Sequence, residues 1–224
     1  MRSVARRRPP APPDRRPTTA VFEGALPDLL ATVSLVLDGT APGNGLQTAR
    51  GAGALLRRIH DLPPQGLEER TAQDTLESAA RAARVLCAVD PAAEKQVERL
   101  LARLTDTMPT GTGTVTSHGD FHSGELIRRD GELAVLGVDE ACRAAPARDL
   151  ATYAARATGQ EGADPHAVVE GLLAGYGGAA PEGLDWYLSV SLLRRAERPF
   201  RSLEEDWPAH VEELVAAAEQ ALGD

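Results

Sequence analysis

From residue 46 onward the apolar positions recur at helical spacing. Leu55, Leu56 and Ile59 share one face of Leu46–His60, and Leu76, Ala79, Ala83 and Leu86 form a stripe along Leu67–Val89. Asp90-Pro91 supplies an N-cap followed by a first-turn proline, which predicts a helix over Ala92–Leu104 with Val97, Leu100, Leu101 and Leu104 inward. The pattern breaks at the Gly/Thr-rich GTGTVTSHGD. Two apolar runs, Leu126–Arg129 and Glu132–Val138, then flank Asp130-Gly131, a strong two-residue hairpin signal. Helical spacing resumes at Ala147. Asp164-Pro165 caps a further helix carrying Val168, Val169, Leu172, Leu173 and Tyr176, and Leu184–Arg195 and Pro208–Leu222 complete the set.

The first part of the chain reads differently. Residues 1–17 are Arg/Pro-rich and cannot bury apolar area, so they are expected to be a disordered or extended leader. Thr18–Phe22 is a short β-type run, and residues 24–45 mix Gly, Pro and apolar positions without a period. The expected organisation is a leader over 1–17 and one domain over 18–224. That domain should be α+β, mostly α-helical, with a central β-hairpin and no internal repeat.

Composition sharpens this picture in three places. Hydrophobic residues make up 42% of the chain but aromatics only 4%, so Leu, Val and Ala must fill the core, which favours helices. The net charge is −9, yet residues 1–16 hold six arginines and one aspartate; the acidic remainder argues against nucleic acid as the main partner. An acidic body is compatible with a cationic substrate, although solubility explains it equally well. Cys87 and Cys142 form no CxxC pair, which points to a reducing cytoplasm. No apolar run follows the arginines or is long enough to span a membrane, so neither a signal peptide nor a membrane partner is expected.

The polar residues that could carry chemistry cluster around the hairpin. Ser117-His118-Gly119-Asp120-Phe121-His122-Ser123-Gly124-Glu125 precedes it, Val138-Asp139-Glu140 follows it, and Ala147-Arg148-Asp149-Leu150-Ala151 opens the next helix. This order brings Asp120, Glu125 and Asp139 toward one end of a hairpin. Carboxylates gathered there repel unless a cation sits among them, and a divalent metal bound to phosphate is one such cation. Asp120, in a loop, could take a proton from an alcohol.

The segments together resemble the H-G-D-x-H-x-G-N…(I/V)-D-(W/F)-(E/D)…D-L-A signature of aminoglycoside phosphotransferases and their choline, homoserine and maltose kinase relatives. GAGALLRRIHDLP resembles that family's helix ending in L-H-x-L-P, and WYLSVSLLRRAERPFR its C-terminal helices, so the resemblance covers residues 20–222. It implies the C-terminal lobe of a protein kinase-like fold, and ATP and Mg2+ as partners in phosphoryl transfer to a small-molecule hydroxyl. It implies Asp120 as catalytic base and Asp139 as a metal ligand. Glu125 stands where the family has an Asn metal ligand. His118 is implied to hold the catalytic loop and Asp149 to tie that loop to the following helix.

The resemblance has a gap at its N-terminal end. The single lysine, Lys95, lies in a helical pattern, no nucleotide-binding lysine is found, and no Gly-rich phosphate loop precedes Asp120. TTAVFEGALPDLL resembles the hinge between the two lobes, so the nucleotide lobe is expected to be largely absent. Apolar surface left by that lobe would call for a partner chain or oligomer.

Other readings remain beside these. His122 reads as a satisfied loop histidine. Glu140, Glu204 and Glu205 are candidates for contacting a cationic acceptor, or else a loop-ordering residue and a solvated helix start. Two further functions compete with the kinase. One is an inactive remnant or ligand-binding module of the same fold. The other is a metal-dependent hydrolase built on His118, Asp120 and His122.

Overall fold

The computed structural model describes residues 22–26, 31–34, 39–43, 45–158, 165–177 and 179–223. The leader over 1–17, residues 18–21 of the first β-run and Asp164 lie outside them. A hairpin of β1 (Phe22–Leu26) and β2 (Ala31–Ser34) occupies the stretch that has no sequence period. Helices α1 (Leu46–His60), α2 (Ala72–Val89) and α3 (Glu94–Asp106) follow. Then come four short strands: β3 (Val115–Ser117), β4 (Leu126–Arg129), β5 (Glu132–Val135) and β6 (Cys142–Ala144). The chain continues through α4 (Pro146–Ala157), α5 (Pro165–Tyr176), α6 (Leu184–Arg195), the single turn α7 (Arg198–Arg201) and α8 (Trp207–Leu222).

The expected class therefore holds: a mostly helical α+β body around a small hairpin. β4 and β5 pair antiparallel from Leu126↔Val135 to Arg129↔Glu132. Asp130 (φ 51°) and Gly131 (φ 84°) form the turn, the two left-handed residues that a tight two-residue connection needs. β3 pairs antiparallel with β6, an interaction with no signal in either short segment.

Several element boundaries differ from expectation, three of them for a clear local reason. α2 starts at Ala72 rather than Leu67 because the backbone of residues 68–70 is already used. The Glu68 carbonyl accepts from Arg143 N–H at 2.7 Å, and Arg70 N–H donates to the Arg143 carbonyl at 2.8 Å. Thr71 then closes a capping box with Asp74. α3 starts at Glu94 rather than Ala92, because Asp90 ends α2 and its carboxylate caps a separate turn by accepting from Ala92 N–H at 3.1 Å. β5 stops at Val135 because the next residues turn away, with Gly137 left-handed at φ 60°.

The core is aliphatic. Leu56, Leu86, Leu100, Leu104, Leu150, Leu172, Leu192 and Leu193 are fully buried, joined by Phe121 and Tyr187. Trp186 Nε1 donates to the Leu104 carbonyl at 2.8 Å, which ties α6 to the end of α3. Among the described residues the exposed large hydrophobic side chains are Leu46, Val85, Val138 and Leu203, far apart in sequence. No described helix is long and apolar enough to cross a membrane.

α1 and α5 approach so closely that side chains are excluded at their crossing. A Cβ on Gly53 would lie 2.0 Å from the Leu172 carbonyl oxygen, and one on Gly175 would lie 1.8 Å from that of Arg50. Neither obstacle is a flexible side chain. Gly53→Ala should therefore cost about 2 kcal/mol or more by forcing the helices apart, read as a lower urea-unfolding midpoint. An unchanged midpoint would contradict this packing.

Candidate functional site

The site is organised around one buried carboxylate. Asp149 sits in the first turn of α4, is fully buried, and collects four donors. Its Oδ2 accepts from His118 N–H (2.8 Å), Ser117 Oγ (2.9 Å) and His60 Nε2 (3.3 Å), and its Oδ1 from Gly119 N–H (3.0 Å). Complete burial pushes this carboxyl upward, but the His60 contact, the nearby Arg148 charge and the backbone donor outweigh it, and the group lies at about 2. His60 is held in turn by Tyr176, whose hydroxyl meets Nδ1 at 2.8 Å. One side chain on α4 thus fixes the end of α1 and the loop leaving β3.

The loop has further anchors. His118 is buried, and its Nε2 donates to the Leu136 carbonyl at 2.7 Å. Its ring packs edge-on against the fully buried Phe121. Gly119 has φ 92°, and a Cβ there would lie 1.9 Å from the Glu140 carbonyl oxygen, so only glycine fits. That contact sets the Asp120 loop directly against the turn that carries Asp139.

Asp120 follows at once and is part-exposed. Arg156 Nη2 donates to both its oxygens, at 2.9 and 2.8 Å. His122 Nε2 lies 3.6 Å from Oδ2. His122 and then Arg156 hold the Asp120 carboxyl at about 2 against half-burial. His122 does more than the loop role expected of it. Its Nδ1 accepts from Gly124 N–H at 3.0 Å, which leaves Nε2 to carry a proton between Asp120 and Glu125, 3.7 Å away on the other side.

Glu125 closes a 3-10 turn before β4, and its carboxylate lies over Gly137, where a Cβ would come within 2.1 Å of its Oε2. Asp139 is exposed in the 3-10 turn starting after Gly137. The expected convergence of three carboxylates is thus divided. Glu125 leans on the Gly137–Asp139 turn, while Asp120 is turned to Arg156 and His122. Among the described residues no group of three or more His, Cys, Asp or Glu is placed to hold a metal by itself. The cluster of His118, Asp120 and His122 that a hydrolase would need does not assemble, because the His118 ring is buried and committed to Leu136.

The acidic acceptor candidates are scattered. The Glu140 carboxylate reaches Arg70 at 3.7 Å. Glu204 pairs with His210 Nδ1 at 2.7 Å and lines a cavity of about 310 Å3, and Glu205 is exposed. Asp120 opens instead onto a larger cavity of about 760 Å3 walled by α2, α4, α6 and α7. Cys142 is a buried thiol pushed up by desolvation, as expected of a core filler.

Two partners were not legible in isolation. His60 reads as a helix-terminal residue of α1, and nothing local marks it as the fourth donor to Asp149. Arg156 carried a usable signal: it lies seven residues after Asp149, two turns along the same face of α4.

The Asp149 geometry has a pH consequence. Its folded value of about 2 lies below the ordinary 3.8, so the stabilisation is present above pH 4 and is lost as pH falls through 2. Over that range the wild type should lose about 2 kcal/mol more than Asp149→Asn, measured by urea unfolding. Parallel stability curves would contradict the assignment.

Comparison with known proteins accords with this arrangement. The family model described as the phosphotransferase enzyme family, APH, matches residues 20–187. No curated protein matches. Among solved structures, a choline/ethanolamine kinase family protein from Mesorhizobium loti superposes with a TM-score of 0.65 at 13% identity, over 92% of this chain and 75% of that one. The GDP and kanamycin complex of APH(2")-IIia gives 0.63 at 13% identity, over 91% and 76%. APH(3'')-Id from Streptomyces rimosus, in complex with ADP and streptomycin, gives 0.55 at 23% identity, over 73% and 70%. The helical body and its hairpin have the kinase-like fold of these proteins, and with three quarters of its length matched, the chain belongs to the phosphotransferase enzyme family.

Proposed function

We propose that the chain transfers a phosphoryl group from ATP to a hydroxyl of a small molecule, with Asp120 facing the acceptor. The observation that carries this reading is the placement of Asp120. It sits on a loop fixed by the Asp149 carboxylate, opens onto the large cavity, and abuts the Glu125–Asp139 turn through the Gly119–Glu140 contact.

In this reaction the alcohol oxygen bonds to the γ-phosphorus, the bond from that phosphorus to the β–γ bridging oxygen breaks, ADP leaves, and the hydroxyl proton passes to Asp120. A carboxyl held at about 2 is a weak base. It can nevertheless accept the hydroxyl's hydrogen bond, orient the oxygen, and take the proton once bond formation has made the alcohol acidic. A loose transition state asks mainly for such positioning. His118 and Asp149 act as positioning residues, because they hold the loop without touching the cavity. Arg156 Nη2 donates to both Asp120 oxygens, so an acceptor hydroxyl shares that carboxylate with it or displaces it.

The donors near Asp139 fit magnesium. They are hard carboxylate oxygens, and Mg2+ is commonly held by one or two carboxylates together with substrate phosphates rather than by an all-protein cage. Glu125 and Asp139 would hold it, and it would supply positive charge to neutralise the phosphates.

One observation favours a second reading, a ligand-binding module of the same fold: both Asp120 oxygens accept from Arg156 Nη2. Kinetics separates the two. ATP turnover with hydroxyl acceptors should fall about 10²- to 10⁴-fold in Asp120→Asn, while ADP binding by calorimetry in magnesium stays intact. Absence of turnover and of nucleotide binding in the wild type would remove the phosphotransferase reading and leave the binding module.

A further inference from the structure

The cavity that Asp120 faces has the opposite charge to the body around it. Its walls carry six arginines: Arg81 from α2, Arg156 from α4, Arg194 and Arg195 from α6, and Arg198 and Arg201 from α7. Its acidic lining among the described residues is Asp120 and Glu197 alone. Asp120 takes Arg156, and Glu197 takes Arg201 at 3.0 Å. Arg81, Arg194, Arg195 and Arg198 are left with no carboxylate in ion-pair contact among the described residues.

Arg195 shows the cost most directly. Its Nε and Nη1 are buried without a hydrogen-bond partner, and its Nη2 reaches only the Thr158 carbonyl, at 3.3 Å. Desolvation, then Arg198 and Arg156, draw its guanidinium down to about 10. Desolvation and Arg148 lower Arg194 as well. A smaller cavity of about 110 Å3 shares Arg81 and Arg194 with this wall and adds Arg70 and Arg148 against a single acid, Asp74.

Arg81, Arg194 and Arg198 are exposed to solvent while Arg195 is half-buried with two unpartnered nitrogens, and arginine does not shed its proton, so their mutual repulsion persists and is least screened at Arg195. Solubility does not explain the cluster, since the chain as a whole is at −9. A site for a cationic acceptor would need the reverse sign. The planar forks of arginine match phosphate and carboxylate oxygens in pairs. Four cations without carboxylate partners favour the more highly charged of these, a phosphate monoester carrying about −1.5 to −2 at neutral pH. The cavity volume falls within the range usual for small-molecule sites.

We propose that the acceptor is a phosphate-bearing alcohol, gripped at its phosphate by Arg81, Arg194, Arg195 and Arg198 while its free hydroxyl meets Asp120. This rests on the phosphotransferase reading above. The acceptor's phosphate also competes with Asp120 for Arg156, so seating the acceptor frees the carboxylate that must receive the hydroxyl proton. That hydroxyl oxygen bonds to the γ-phosphorus, ADP leaves, the proton goes to Asp120, and the product is a bisphosphate.

The test is calorimetry on the full chain at fixed ionic strength, with inorganic phosphate, glucose 6-phosphate, gluconate and choline as probes, and ADP with magnesium titrated separately. The two phosphates should saturate a single site at least about tenfold more tightly than gluconate, with no binding of choline. Arg81→Gln/Arg194→Gln should weaken phosphate at least about tenfold and abolish the phosphate-induced rise in Tm. Its Tm without ligand should be equal to or above that of the wild type, because neither arginine has a partner to lose. Arg99→Gln on α3 serves as the surface control and should bind like the wild type. Choline binding as tight as phosphate, gluconate binding as tight as phosphate, competitive displacement of the sugar phosphate by ADP, or unchanged phosphate affinity in the double variant would each overturn the assignment. Loss of ADP binding with phosphate binding intact would instead count against the phosphotransferase reading.

Discussion

The carboxylate of Asp149 is the constraint on which the site depends. A buried anion is costly unless its oxygens are filled with donors, and here the donors come from two separate parts of the chain: His60 at the end of α1, and residues 117–119 leaving β3, through the Ser117 hydroxyl and the His118 and Gly119 amides. The anion thereby ties these two parts to the start of α4. The backbone donors also take a loop that has no sheet partners of its own beyond β3 and give it one conformation. Asp120 inherits that rigidity, as does the close contact of Gly119 with the Glu140 carbonyl, which sets the loop against the Asp139 turn.

Around this fixed point the electrostatics divide into two sides. On one, Glu125 lies over Gly137 beside exposed Asp139, a surface of hard anionic oxygens. On the other, Asp120 faces a wall of arginines on α2, α4, α6 and α7. His122 stands between them, with its free ring nitrogen 3.6 Å from Asp120 and 3.7 Å from Glu125. A site meant to bring two phosphorylated molecules together would need such a division, with metal-binding oxygens toward one and guanidiniums toward the other. The average charge of the chain conceals it, because six arginines line this one cavity against two acids among the described residues.

Much of the fold was legible because its elements obey local rules. The Leu stripes gave α1 and α6 to the residue, and Asp130-Gly131 gave the hairpin. The differences arose where long-range contacts override local preference. Residues 68–70 are withheld from α2 by hydrogen bonds to Arg143, seventy residues away, and β3 and β6 are too short to announce their pairing. The same division applies to the site. His118, Asp120 and Asp149 stand out by motif spacing, and the structure brings them together through one carboxylate. His60 falls in the family-like GAGALLRRIHDLP segment and Arg156 at helical spacing from Asp149, but what they contact, like the arginine wall, could not be read from net charge or motif, since the partners come together only when the helices pack. The cavity beside Asp120 is lined by six arginines, a local sign that the net charge of −9 does not report, because composition averages over a surface and a cavity samples a few side chains.

The direct test of the central claim is amide hydrogen exchange at His118 and Gly119. If the Asp149 carboxylate holds the loop, these two amides exchange in the wild type only through large-scale opening, as slowly as core amides of α6. In Asp149→Ala they should exchange faster by orders of magnitude relative to the α6 core. Equal protection of the two amides in wild type and variant would show that the loop is held by something else.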